Sequence, residues 1–182
     1  MKKLILILPF LAACGSTKWM AVTRDPVDPP GTDEARVVVY RNSFRNATKP
    51  YAFLDDEELL GFSLVGTWFE VRCKPGEHFF VIHGVSCNGV RATLEAGRSY
   101  FLRVDSVPQI LHLDLRLTPI LPGSKEFDQI DDILADLKHV EPIDVLLARF
   151  SEDHADEFEE SLASLKTDRL EQCVILSPEA GR

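Results

Sequence analysis

From Leu111 to Leu117 the chain alternates apolar and polar residues without a break, Leu-His-Leu-Asp-Leu-Arg-Leu. Successive side chains of a strand point to opposite faces, so this pattern fits a strand with one buried face. Similar short runs fill the stretch before it. Arg36-Val37-Val38-Val39-Tyr40-Arg41 is β-branched and aromatic, and Tyr51 to Leu54 is a second run. Leu59 to Leu64 follows the charged turn Asp55-Asp56-Glu57-Glu58, and Thr67 to Cys73 mixes aromatic and polar residues. Phe79-Phe80-Val81-Ile82-His83 reads as a central strand, with Val90 to Leu94 and Arg98 to Val104 after it. Gly, Pro and Asp signals separate the runs. Many short strands of this kind predict a mainly β fold, an antiparallel β-sandwich or a barrel, over residues 35–118.

Beyond Pro119 and Pro122 the period changes. Phe127, Ile130, Ile133, Leu134 and Leu137 recur at steps of three and four, which predicts a helix with Ser124 as its cap. A second helix is expected over part of 151–167, and Cys173-Val174-Ile175-Leu176 ends strand-like. Residues 119–182 are thus expected to form a mostly helical C-terminal extension.

The start of the chain is of another kind. Lys2 and Lys3 precede the apolar run Leu4 to Leu11, and small residues follow. That is the layout of a secretory signal. The run is too short to span a bilayer, which takes about 20 apolar residues. Leu11-Ala12-Ala13-Cys14 resembles the bacterial lipobox. The resemblance implies that residues 1–13 are a signal peptide cleaved before Cys14, and that lipid is attached to the Cys14 thiol and to the new amino group. Two or more acyl chains give stable anchoring where one does not. In enteric-type bacteria an aspartate after the cysteine favours inner-membrane retention, and Gly15 points instead to the outer membrane. Residues 14–34 then read as the lipidated cysteine and a flexible tether, rich in Pro26, Pro29, Pro30 and Gly31. Trp19 on that tether is read either as an aromatic resting at the membrane interface or as a plain tether residue.

The net charge of −9 excludes a chain that holds nucleic acid electrostatically. An anionic membrane would repel it too, so any anchoring falls to lipid.

Within the β region, Tyr40-Arg41, then Phe53-Leu54-Asp55, Leu60-Gly61, Phe69-Glu70-Val71, Pro75-Gly76-Glu77-His78 and Leu94 to Phe101 follow one another in an order that resembles a family of small bacterial envelope lipoproteins. The β-domain of that family is similar in pattern to the PEGA-type surface modules. The resemblance covers roughly 35–117 and implies a β-sandwich and an envelope address, with no catalytic residues to carry over. The family has glycine after Leu-Asp, where this chain has Asp56, and the loop reads as one residue longer.

Few residues point to chemistry. Cys73 and Cys87 flank a turn at Lys74-Pro75-Gly76-Glu77, so a disulfide between them is a candidate, subject to strand register. No CxxC or HxxxH spacing supports a metal there. Gly84-Val85-Ser86-Cys87-Asn88-Gly89 departs from a nucleophile elbow, because its second glycine comes one residue late. Asn88-Gly89 reads better as a hairpin turn. His83 and His112, with Asp114 two residues along the same strand, are weak candidates for a zinc or copper site. A partly buried, hydrogen-bonded imidazole is the preferred reading of His83. No cofactor is expected. The reading that joins these features is a lipid-anchored, non-catalytic envelope module that binds another envelope protein or gives structural support. The alternative is a small-molecule or metal-binding periplasmic module. Replacing Cys14 with Ser is expected to move the protein from the membrane to the soluble fraction on carbonate-washed membranes, and unchanged sedimentation would remove the anchor.

Overall fold

The computed structural model describes residues 19–43, 49–84, 86–110, 113–170 and 173–182. Cys14, the lipobox and His112 lie outside the described residues. Eleven strands among the described residues form two sheets. The larger runs in the order β1 (Met20–Val22), β10 (Lys138–Pro142), β5 (Thr67–Cys73), β2 (Ala35–Arg41), β8 (Ser99–Pro108) and β9 (Leu113–Pro119). The smaller runs β11 (Val174–Leu176), β7 (Cys87–Leu94), β6 (Gly76–His83), β3 (Tyr51–Asp55) and β4 (Glu58–Ser63). The fold is mainly β, as expected, but both sheets are mixed. β2 runs parallel to β8, β10 to β5 and β11 to β7.

The two sheets bury a common core. Val37 and Val39 of β2, Phe69 of β5 and Leu102 of β8 meet Phe53 of β3 and Phe80 of β6 there. Residues one step along β2, Val38 and Tyr40, belong instead to a second cluster with Phe101, Ile120 and Ile130. The short helices α1 (Lys125–Asp128) and α2 (Ile130–Ala135) cover that outer face with Phe127, Ile133 and Leu134. Burial on both faces explains why β2 reads as an almost continuous apolar run. Ser124 caps α1 as expected, its Oγ accepting from the Phe127 N–H at 3.1 Å.

On the far side, α3 (Asp144–Asp153) and α4 (Ala155–Ser164) lie over the smaller sheet, followed by a wider-wound turn, Leu165–Arg169. Leu147, Phe158, Leu162 and Leu165 bury against the core cluster. The C-terminal residues also supply β10 to one sheet and β11 to the other. Residues 119–182 are therefore part of the β body rather than an appendage to it. The expected tether 14–34 is likewise partly structural. Met20–Val22 pairs with Pro142–Val140, and Met20 is 2% exposed.

The Lys74-Pro75 corner does not fold a hairpin. β5 and β6 lie in different sheets, and the chain crosses between them with Gly76 at φ 134°. Cys73 sits opposite Ala35 in the larger sheet, and Cys87 opposite His83 in the smaller. The length of β6, roughly 23 Å at about 3.3 Å per residue, separates the two ends. The expected Cys73–Cys87 bridge is therefore excluded by topology, and Cys73 is a buried thiol. Burial pushes the Cys73 thiol up to about 12, which keeps it protonated and unreactive.

The Asn88-Gly89 turn is also displaced. β6 ends at His83 and β7 begins at Cys87, so Asn88 and Gly89 lie within β7 opposite Ile82 and Val81. Gly89 is needed for packing, since a Cβ there would stand 2.7 Å from Phe79 Cζ. The Asn88 side chain accepts the Leu117 N–H at 2.8 Å, and the Ser86 hydroxyl accepts the Leu115 N–H at 2.7 Å. Two N–H groups of β9, an edge strand, are thus satisfied from the other sheet. The β3–β4 turn holds only Asp56 and Glu57 between the paired Asp55 and Glu58. Asp56 takes the left-handed conformation at φ 49°, at the position where the resembling family has glycine. The extra residue is Leu60, a bulge between Gly61 and Leu59, which pair with Phe53 and Leu54.

A fragment of residues 35–118 lacks β1, β10, β11 and the helices on both outer faces. It is expected to fail to fold, giving collapsed amide dispersion by NMR where the full chain gives a resolved spectrum.

Candidate functional site

β6 sets the site. Phe80 and Ile82 face the common core, where Phe80 stacks on Phe53 at 5.4 Å. By the strand period His83 faces the other way, beneath α4. Phe158 of α4 meets the His83 ring edge-on at 5.4 Å. Glu157, next to it, places Oε1 3.7 Å from His83 Nε2. His154 sits at the junction of α3 and α4. Its ring stacks on Phe150 at 3.9 Å, and its Nδ1 lies 3.0 Å from the Phe150 carbonyl, to which it donates. Phe150, His154 and Phe158 recur at steps of four, one stripe along the two helices.

Trp19 closes the other side. It stacks on Phe62 of β4 at 4.9 Å and meets Phe150 edge-on at 5.3 Å. The Trp19 carbonyl accepts the Ile143 N–H, tying the start of the fold to the start of α3. Neither sequence reading of Trp19 describes this, because its ring packs against the core. The rings, His83, His154 and Glu157 enclose a cleft of about 200 Å³.

Burial holds the His83 imidazole below its usual pKa. The nearby His154 pushes the same way, and Glu157 opposes. His83 is the partly buried imidazole that the sequence favoured. It does not join Asp114. Leu115 and Leu117 face the common core, so by the strand period Asp114 lies on the other face of β9, although Leu115 beside it meets the β6–β7 corner through the Ser86 hydroxyl. The third member, His112, lies outside the described residues. Among the described residues no three His, Cys, Asp or Glu side chains gather as a metal site.

A second, larger cleft of about 440 Å³ opens beside β7 and the wide turn. Lys166 there pairs with Asp56 at 2.7 Å above the Phe79 ring. His78 at its margin is held by Asp55 at 2.6 Å and by the Lys74 carbonyl at 2.8 Å. Asp56 and Lys166 thus already match each other, and Glu77 and Arg91 also line the cleft.

Comparison with known protein families, with curated proteins and with solved structures finds no match for this chain.

Sequence reasoning found His83 and missed its neighbours. The acidic stretch 152–160 reads as a wet helix face, which hides Glu157. The Phe150, His154, Phe158 spacing was the available signal.

The depressed His83 pKa has a direct consequence. Unfolded histidine titrates near about 6.5. Below that pH the unfolded chain takes up a proton that folded His83 resists, so stability is full above about 6.5 and falls as pH drops towards the folded value. His139, also lowered by burial, acts in the same direction. The urea midpoint is expected to fall between about pH 7 and pH 5.5, and His83→Gln to flatten part of that slope. An unaltered slope in the variant would show that His83 carries none of it.

Proposed function

We propose that this chain is a lipid-anchored, non-catalytic module of the bacterial envelope that works close against the membrane. The observation that carries the reading is the locking of Trp19 into the aromatic cluster and of Met20 into a paired strand. Trp19 is five residues after Cys14 in the sequence. A leash of that length reaches at most about 18 Å. Lipid on Cys14 would therefore hold the body at the headgroup layer rather than lift it away. The segment 23–34, which reads as tether, instead runs back along the body, and its Asp28 carbonyl accepts from Arg72 at 2.7 Å. Two facing sheets, read as a sandwich with helices over both outer faces, give a rigid support for a partner or ligand site. The lipobox and the likeness to small envelope lipoproteins supply the address, with Gly15 favouring the outer membrane. The cleft over His83 favours a ligand-binding role as the second reading.

The test is energy transfer from Trp19 to dansyl-labelled lipid in liposomes carrying the lipidated protein, with Trp68→Phe removing the other indole. Strong transfer is expected in the native spacing. A flexible insertion of about 20 residues between Ser16 and Thr17, adding roughly 25 Å of reach, is expected to abolish most of it. No transfer at the native spacing would defeat the membrane-proximal reading.

A further inference from the structure

We propose that the cleft over His83 binds a compact organic cation, an ammonium group on a small carbon skeleton. Charge is the first reason. Glu157 is the carboxylate of the cleft, and its side chain is 58% exposed at the rim. Among the described residues no lysine or arginine pairs with it, and its ion-pair neighbour is His83. Burial keeps that imidazole neutral at pH 7, so His83 does not cancel the carboxylate. The cleft therefore offers a negative charge to an incoming group.

Surface chemistry is the second reason. Trp19 and Phe150, each with one face stacked on a neighbour, are the part-exposed rings lining the same cleft, and Phe62 and Phe158 beside them are buried. The faces of such rings are negative and attract cations, tryptophan most strongly, and quaternary ammonium groups are recognised in this way. An anion would meet Glu157, and among the described residues no lysine or arginine lines the cleft to hold it. Size is the third reason. A volume of about 200 Å³ equals about six or seven waters of liquid, which suits a choline-sized amine. The net charge of −9 raises the local concentration of cations around the whole molecule.

The ammonium has two sources, a phospholipid headgroup or a free solute. The proposal rests on the cleft alone and stands whether or not Cys14 carries lipid. Trp19 reports on it directly. Trp68 stacks on His139 and does not line the cleft, so Trp68→Phe leaves one reporter. The full-length processed protein, in a detergent without ammonium groups, is titrated at pH 7.5 with choline and with 3,3-dimethylbutanol, its uncharged isostere. Choline is expected to change Trp19 fluorescence saturably at millimolar concentrations, and the isostere to bind at least about tenfold more weakly. Glu157→Gln, at a half-exposed position and checked for folding by circular dichroism, is expected to remove most of that preference. Lowering the pH far enough to protonate His83, whose pKa burial holds below the ordinary histidine value, is expected to weaken choline binding by placing a positive charge beside Glu157. Vesicles of phosphatidylethanolamine, compared with vesicles of phosphatidylglycerol, separate the sources. A response to free choline assigns a solute site, and a response confined to phosphatidylethanolamine assigns a headgroup site. Equal binding of choline and its isostere, an unchanged preference in Glu157→Gln, or no response to either amine source would overturn the proposal.

Discussion

Phe53 and Phe69 meet edge-on at 5.8 Å, one from each sheet, and the rest of the molecule is arranged around that contact. Phe53 also stacks on Phe80 of its own sheet, so three rings bridge the two layers. Gly61 lets Phe69 in, since a Cβ there would already stand 3.0 Å from its ring. Burying a phenylalanine side chain contributes about 1.5–3 kcal/mol, and this group is buried almost completely. With the layers fixed face to face, each strand has an inner and an outer side. The outer sides are still apolar over their central strands, and the helices exist to cover them.

The far end of this core is closed by a charge rather than by another ring. Arg41 follows Val37 and Val39 on the inner face of β2 and is fully buried. Its guanidinium lies 4.2 Å over the Tyr51 ring and donates to the Lys49 carbonyl at 2.9 Å. It reaches the Ser106 hydroxyl at 3.4 Å, and Tyr51 bonds to the same hydroxyl at 3.1 Å. Burial lowers the Arg41 pKa, yet a guanidinium keeps its proton under any physiological condition. The outer face of the larger sheet carries its own network, in which Glu126 accepts from Tyr40 at 2.6 Å and pairs with Arg103, itself bonded to Asp105. Polar groups thus fix the register of layers that apolar burial alone would leave free to slide.

The cleft over His83 exists because distant segments converge there. β6 supplies the histidine, α3, α4 and their junction supply Phe150, His154, Glu157 and Phe158, β4 supplies Phe62, and Trp19 comes from just before β1. The larger cleft near Phe79 is wider but carries its own matched ion pair. The smaller cleft differs in that Glu157 at its rim has no lysine or arginine beside it among the described residues, so its charge is open to an incoming group.

Much of this was legible in the residues themselves. Alternation from Leu113 to Leu117, the β-branched run of β2 and the Ser124 cap are local patterns with local causes, and each formed the element it predicted; the helical steps from Phe127 to Leu137 gave two short helices broken at Gln129, with Leu137 beyond the second, instead of one helix. The basic and apolar start ending in Cys14 sets an expectation of address by the same local logic. What the sequence could not settle is where the strands go. Pro75-Gly76 looks like any tight turn, and only packing decides that it crosses between sheets and so parts Cys73 from Cys87. The partners of β1, β10 and β11 are set by open sheet edges made elsewhere in the chain. His83 was visible as a histidine at a strand end, but its surroundings were not, because Trp19 and Glu157 are 64 and 74 residues away in sequence. Side-chain period and turn chemistry act over a few residues and can be read in order. Burial acts between whichever surfaces finally touch, and that is decided by the tertiary structure.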